Sequence, residues 1–266
     1  LCHARGMELG LRGKVAIVTG GSEGIGRATA RALAREGARV LICARRADVL
    51  AVVARDLAEE TGGEVVAVPA DVSVVEDIER VVEAAVAMWG RIDVVINNAG
   101  TSRSGRFELV SDAVWQEDLD LKLFAAIRLV REALPHLRAA GGGSVVNLLN
   151  IAAKQPGAGS VPTSVSRAAG MALTKALSKE LAPDKIRVNA VLIGLVKSGQ
   201  HDRRWEAAGG PREDYYANMA REKQVPLGRV AEAEEAADLI AFLASDRAAF
   251  ITGTAINFDG GASAVV

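Results

Sequence analysis

Short apolar runs, rich in β-branched residues and nearly free of polar positions, recur along the chain at 15–18, 40–43, 65–68, 92–96, 145–149 and 186–192. Runs of this length without alternation suit strands covered on both faces, as in a parallel sheet enclosed by helices. Between them lie alanine-rich segments with apolar residues three and four apart, at 27–36, 46–60, 75–89, 111–138 and 164–181, which is the repeat of an amphipathic helix. An Ala/Glu-rich helix is predicted over 232–244. Strand and helix alternate throughout, so the pattern predicts an α/β fold with one doubly wound parallel sheet in a single domain. It breaks once, at 197–224, where charge and glycine dominate and two tyrosines are adjacent. A loop-helix insert of this size after a strand is where a lid is expected, and its few apolar anchors predict mobility.

Composition narrows the function. Half of the 266 residues are hydrophobic, enough for one large core. The net charge of −1, without a long basic stripe, speaks against nucleic acid or an anionic membrane as partner. No apolar run approaches the roughly 18 residues of a spanning helix. Residues 1–6 read as an N-terminal extension ahead of a domain at 7–266, since no apolar segment follows their basic residues. Cys2 and Cys43 make no disulfide framework, so a cytoplasmic location is expected. His3 and His136 attract no functional reading, and no set of His, Cys, Asp and Glu has metal-ligand spacing.

The chemistry begins where the first apolar run enters Thr19-Gly20-Gly21-Ser22-Glu23-Gly24-Ile25-Gly26 and then a helix. Glycines there let the backbone turn sharply and approach a pyrophosphate, whose charge a helix N-terminus favours. Three further motifs follow in order: Asn97-Asn98-Ala99-Gly100 after the fourth run, Asn189-Ala190-Val191-Leu192-Ile193-Gly194 along the sixth, and Asp259-Gly260-Gly261 near the end. Together these resemble the TGxxxGxG, NNAG, VNxxxPG and DGG motifs of the short-chain dehydrogenase/reductase family, with Ile193 in place of the proline. The resemblance spans about residues 9–264. It implies a Rossmann-type fold with helices on both faces and a bound nicotinamide dinucleotide. It assigns cofactor contacts to the glycine turn, to Asp71 and Val72 at the end of the third strand, to Asn98, Ala99 and Gly100, and to Gly194 and Val196. It also implies a homodimer or homotetramer built on the two long helices, and a small-molecule substrate.

Which dinucleotide depends on the end of the second strand. An acidic side chain there would bond the ribose 2′-OH and repel a 2′-phosphate. This chain has Ala44 followed by Arg45 and Arg46, and a guanidinium makes paired, charge-assisted bonds to phosphate. NADP(H) is therefore expected over NAD(H), with Arg45 as the main contact. Arg46 also fits a solvated charge in a first helical turn, and Glu23 stands in the glycine turn where many NADP(H)-preferring relatives carry a base.

At the catalytic positions the chain departs from the family, whose members use a tyrosine, a lysine four residues later, a serine and an asparagine. Counted onto this sequence, those positions hold Thr163, Arg167, Asn150 and Lys122. An aliphatic hydroxyl is a far weaker acid than a phenol, and Arg167 keeps its proton but can bind ribose or polarise an oxygen. Losing a positioned acid or base costs about 10²–10⁴ in rate. Lys122 is the foremost substitute, because burial and a nearby Arg167 would lower its pKa; the alternative is a lysine whose head reaches water. Asn150 could hold a substrate carbonyl. Lys154 and the lid residues His201, Tyr215 and Tyr216 are further candidates, each with a plainer reading as surface or packing residues. Ser164 and Ser166 lack a histidine and supporting acid for a hydrolytic triad. Three functions remain open: an NADP(H)-dependent oxidoreductase of small carbonyls or alcohols with a non-standard site, a cofactor-binding protein without redox turnover, and a non-redox proton-transfer or lyase enzyme that uses Lys122.

Overall fold

Val15–Thr19, buried at every position, forms β1 in a computed structural model that describes residues 8–266. The stretch 1–6, with Cys2 and His3, lies outside the described residues. From β1 the chain alternates through α1 (Gly24–Arg35), β2 (Arg39–Ala44), α2 (Ala47–Thr61), β3 (Val65–Pro69), α3 (Val75–Trp89) and β4 (Val94–Asn97). A short strand β5 (Ser104–Gly105) precedes α4 (Asp112–Leu119), α5 (Ala125–Ala139) and β6 (Gly143–Asn150). Another short strand, β7 (Val161–Pro162), pairs antiparallel with β5 and leads into α6 (Thr163–Glu180) and β8 (Ile186–Ile193). The segment expected to act as a lid comprises α7 (Gly199–Ala208) and α8 (Arg212–Glu222), after which α9 (Ala233–Ala244) and β9 (Ala255–Phe258) complete the fold.

Seven strands form one parallel sheet in the order β3-β2-β1-β4-β6-β8-β9. Period-two alternation sends neighbouring residues to opposite faces, and both faces are filled. Ala16 and Val18 of β1 join Val40 and Ile42 of β2 against α1, α2 and α9, through Leu33, Leu50, Leu57 and Ile240. Val15, Ile17, Leu41 and Cys43 face the other way, onto Ile78, Val82, Leu129 and Leu137 of α3 and α5. Each such aliphatic side chain contributes about 1.5–3 kcal/mol on burial, which explains why the strands read as unbroken apolar runs. The strand order reverses between β1 and β4, so the connections leave these two strands in opposite directions and open a crevice at their C-terminal ends. Among the described residues no helix is long and apolar enough to cross a membrane.

The structure corrects several boundaries. β4 starts at Val94, with Ile92 buried in its approach. The helix expected over 111–138 is interrupted by a π-turn at Asp120–Phe124. β9 was not foreseen, because its four residues include Asn257 and show no long apolar run. The expected scarcity of apolar anchors in the lid holds for α7, none of whose described side chains is buried, but not for α8. Tyr216 and Ala220 of α8 are buried with Val225 and Val230 in a small core of their own.

Candidate active site

The turn after β1 demands its glycines. Gly20 and Gly24 have φ of +67° and +55°, a region costly for residues with a Cβ. A Cβ on Gly26 would stand 2.2 Å from the Gly20 carbonyl oxygen, and one on Gly20 would stand 2.8 Å from Asn98 Nδ2. The turn is clasped to β4 from behind. Thr19 Oγ1 donates to the Ile96 carbonyl (3.3 Å) and accepts the Asn98 and Ala99 N–H groups at 3.0 Å each. The Asn98 amide donates to the carbonyls of Thr19 (2.8 Å) and Gly20 (3.1 Å). The N-terminus of α1 thereby faces the crevice with its backbone N–H groups available to an anion.

A cleft of about 1140 Å³ runs along this edge of the sheet. Gly20, Ser22, Glu23 and Ile25 line it from the glycine turn, and Asn98, Ala99 and Gly100 from the end of β4. Arg45, Arg46, Asp71 and Val72 close one end, while Asn150, Thr163, Arg167, Gly194 and Val196 form the other. Thr19, Gly24 and Gly26, expected as direct contacts, stand behind the lining and shape it. Asp71 is committed to its own turn, accepting the Ser73 N–H (3.0 Å) and hydroxyl (2.6 Å). Glu23 accepts from Arg46 at 3.5 Å. Arg45 is exposed between this cleft and a second cavity of about 430 Å³ lined by Ser73, Arg103, Glu117, Asp118 and Asp120.

The four residues at the expected catalytic positions gather toward the far end, and two of them, Lys122 and Thr163, touch a charge that sequence reasoning missed. Lys122, on the π-turn, is fully buried and makes an ion pair with Asp118, one turn earlier and equally buried. Its ammonium also donates to Thr163 Oγ1 at 2.7 Å. The alternative of a lysine reaching water is thus excluded. Asp118 accepts in addition from Ser166 Oγ (2.7 Å) and lies 3.4 Å from Thr163 Oγ1. Burial pulls Lys122 from 10.5 down to about 8; the Asp118 bond opposes this, and the charges of Arg167 and Arg103 add to it. Lys122 does not line the cleft, whereas Thr163 does. The Thr163 hydroxyl therefore stands between the Lys122 ammonium and the cleft, where Lys122 was expected from sequence to meet a substrate directly. That hydroxyl also donates to the Arg103 carbonyl (2.5 Å) and accepts the Arg103 N–H (3.0 Å), pinning the loop before β5.

Arg167 crosses the cleft floor. Its Nη1 donates to the Leu148 carbonyl at 2.8 Å, its Nη2 occupies the space a Cβ on Gly100 would need, and its Nε is buried without a partner. Burial lowers its pKa to about 10, against the pull of Asp118, so it remains a cation at neutral pH. Asn150 Oδ1 is likewise buried without a partner. Two unsatisfied polar atoms on one wall are what a ligand with hydroxyl groups would complete. The spacing of Asp118 and Lys122, four apart on a helical segment, was the available signal for this pair.

The remaining candidates separate cleanly. His201 lines the cleft with Nδ1 unpartnered, its pKa lowered by burial and by Arg204. Tyr216 points elsewhere: its hydroxyl donates to Asp202 at 2.9 Å, and burial first, then Asp202, pushes it up to about 12. Tyr215 packs edge-on against it. Lys154 donates to Ala255 O and Asn257 Oδ1, both at 2.9 Å, and ties the loop after β6 to β9. Among the described residues no cluster of His, Cys, Asp and Glu is placed to hold a metal ion.

A doubly wound sheet, a glycine turn at its switch point and an elongated cleft define a dinucleotide-binding protein of the Rossmann class. Comparison with known proteins narrows this. The family model described as enoyl-(acyl carrier protein) reductase matches residues 20–263. Human dehydrogenase/reductase SDR family member 4 is 35% identical over 252 residues, covering 94% of this chain and 88% of that protein. The NADPH-bound structure of a short-chain oxidoreductase from Pseudomonas aeruginosa, containing an atypical catalytic center, superposes with a TM-score of 0.90 at 39% identity, covering 95% of this chain and 98% of that one. L-Sorbose reductase from Gluconobacter frateurii, complexed with NADPH and L-sorbose, superposes with a TM-score of 0.93 at 37% identity, covering 98% and 100%. The chain belongs to the short-chain dehydrogenase/reductase family of oxidoreductases.

Proposed function

We propose that the protein is an NADP(H)-dependent oxidoreductase that interconverts a small carbonyl compound and its alcohol, with Lys122 as the proton reservoir in place of the family tyrosine. The observation that carries this reading is the buried chain from Lys122 to Thr163, which ends on the cleft wall between Asn150 and Arg167. The residues fit a dinucleotide: the glycine turn leaves no room for a Cβ, and the cleft of about 1140 Å³ is lined from Arg45 and Arg46 to Thr163 and Arg167. When bound, the cofactor supplies the hydride. Arg45, exposed at the end of β2, bonds the 2′-phosphate. Arg167 orients the ribose nearest the reacting carbon. Asn150 holds the substrate oxygen. Lys122 passes a proton to Thr163 Oγ1 as that hydroxyl turns from the Arg103 carbonyl and gives its own proton to the substrate oxygen, leaving a neutral lysine. A pKa near 8 keeps Lys122 protonated at neutral pH and able to donate. The similarity to two NADPH-bound structures supports the cofactor choice.

One observation favours a second reading, cofactor binding without turnover: the Thr163 hydroxyl is already engaged by the Arg103 backbone. A panel of small aldehydes, ketones and ketoses incubated with NADPH separates the two. Stoichiometric loss of NADPH with formation of alcohol supports the enzyme, whereas tight nucleotide binding without consumption overturns it. A cytoplasmic homodimer or homotetramer belongs to the same reading. Phe124 and Val165 expose apolar side chains along the long helices that would form it, and light scattering tests it.

A further inference from the structure

The end of the cleft next to β2 holds an apparent contradiction. Glu23 stands in the glycine turn beside Arg46, where a carboxylate would repel the 2′-phosphate that Arg45 is suited to bind. The lid answers it. Arg203 of α7 places Nη1 3.1 Å from Glu23 Oε2 and Nη2 3.3 Å from Oε1, a two-pronged contact across the cleft mouth. The first residue of α7 is Gly199, where a Cβ would stand 2.6 Å from Glu23 Oε2, so a larger residue there would push the carboxylate aside. Ser198, which caps α7, would meet a Cβ on Gly24 at 3.7 Å. The lid helix thus rests on the glycine turn; none of its described side chains is buried, and polar contacts position it, Arg203 to Glu23 on this side and Asp202 to Tyr216 and Arg212 of α8 on the other.

Arg45, Arg46, Arg203 and Glu23 all line the same cleft. Arg204 and Asp71 line it too, so four guanidinium groups against two carboxylates leave a net charge of about +2, the complement of a phosphate monoester carrying about −1.5 to −2. The Glu23–Arg203 pair is more than a third exposed on both sides, and pairs of that kind contribute little and exchange partners easily.

We propose that Arg203 is a lid-borne ligand of the cofactor's 2′-phosphate, held in place by Glu23 until that phosphate arrives. The glycine turn lacks a base of its own, and the lid supplies one. Closure of α7 is thereby coupled to NADP(H) in preference to NAD(H). This rests on the NADP(H) reading above.

The test is nucleotide binding without any substrate, followed by calorimetry and by the fluorescence of Trp205, which lies on α7. Arg203→Ala should weaken NADPH about tenfold or more, as for a lost charge-assisted phosphate contact. It should leave NADH within about twofold and abolish any Trp205 response specific to NADPH. Glu23→Gln, which removes the repulsive carboxylate and keeps its shape, should raise the ratio of NADPH to NADH affinity. If Arg203→Ala weakens both nucleotides by the same factor, Arg203 is a lid contact only and the proposal fails; it fails equally if neither changes. Equal binding of NADPH and NADH by the unaltered protein would overturn the cofactor reading and this proposal with it. Because Arg45 remains, a reduced NADPH preference is expected in Arg203→Ala, and an undiminished one overturns this proposal alone.

Discussion

Replacing Asp118 by asparagine removes one charge of a buried ion pair and leaves the shape of the side chain nearly unchanged. Lys122 would then face Arg167 and Arg103 with no counter-charge, although the asparagine oxygen could still accept from its ammonium. Breaking a buried pair by removing one partner costs about 3–5 kcal/mol. Here the cost has a built-in ceiling, because Lys122 can shed its proton. In the unaltered protein its folded pKa of about 8 lies below the ordinary 10.5, so the folded state holds fewer protons than the unfolded chain between those values. Stability linked to Lys122 therefore rises with pH from about 8 to 10.5, and a penalty of about 3 kcal/mol for the charged form is present in full below pH 8. Loss of Asp118 lowers the folded pKa further and deepens that penalty at acid and neutral pH. Above pH 8 the lysine is neutral in both proteins, and the difference shrinks toward about 1 kcal/mol, the worth of an ordinary hydrogen bond. Urea unfolding of both proteins at pH 6.5 and 9.5 measures this directly. The expected cost is several kcal/mol at the lower pH, with a drop in Tm of roughly 6–20 °C, and much less at the higher one. A cost that is the same at both values would refute the linkage argument and make Asp118 an ordinary packing residue.

Lys122→Met should lower turnover by about 10²-fold or more and flatten the alkaline limb of the pH profile; an unchanged profile would move the donor to His201 on the lid. Arg45→Ala should weaken NADPH by about 1.5–3 kcal/mol and NADH far less, as judged by titration of both nucleotides. Hydrogen exchange should be fast along α7 and slower along α8, with α7 gaining protection when nucleotide binds; equal slow exchange in both helices of the free protein would contradict the packing described. Gly26→Ala should cost about 1–3 kcal/mol of stability and most nucleotide affinity, because its Cβ must displace the Gly20 carbonyl.

Much of the fold was legible because the signals are local. Strands covered on both faces are apolar at most positions, which marks β1, β2, β6 and β8 within a few residues despite Asn147, Arg187 and Asn189. The glycine turn was legible for a similar reason, since left-handed backbone and close approach leave no chemical alternative. β9 escaped because a short edge strand is buried only in part and carries no such signature. The inner division of segment 197–224, expected as a lid, escaped in another way. The charged residues of that segment look alike in sequence, but Tyr216 and Ala220 anchor α8, while α7 is tied to α8 through Asp202 and to the glycine turn through Arg203.

The catalytic end divides along the same line. That Lys122, Asn150, Thr163 and Arg167 belong to one site was expected from the family positions counted onto the sequence, and the downward direction of the Lys122 pKa followed from burial beside Arg167. The counter-ion did not. Whether Lys122 faces water or Asp118 depends on how the π-turn rotates one residue against the start of α6, a matter of long-range packing that no local pattern records. The same holds for Glu23, a misplaced charge in the glycine turn until α7, about 180 residues further along the chain, brings Arg203 against it. Burial and backbone geometry constrain residue type position by position, and so leave a trace in the chain. Electrostatic partnership is set by distances across the tertiary fold, and only the folded structure contains them.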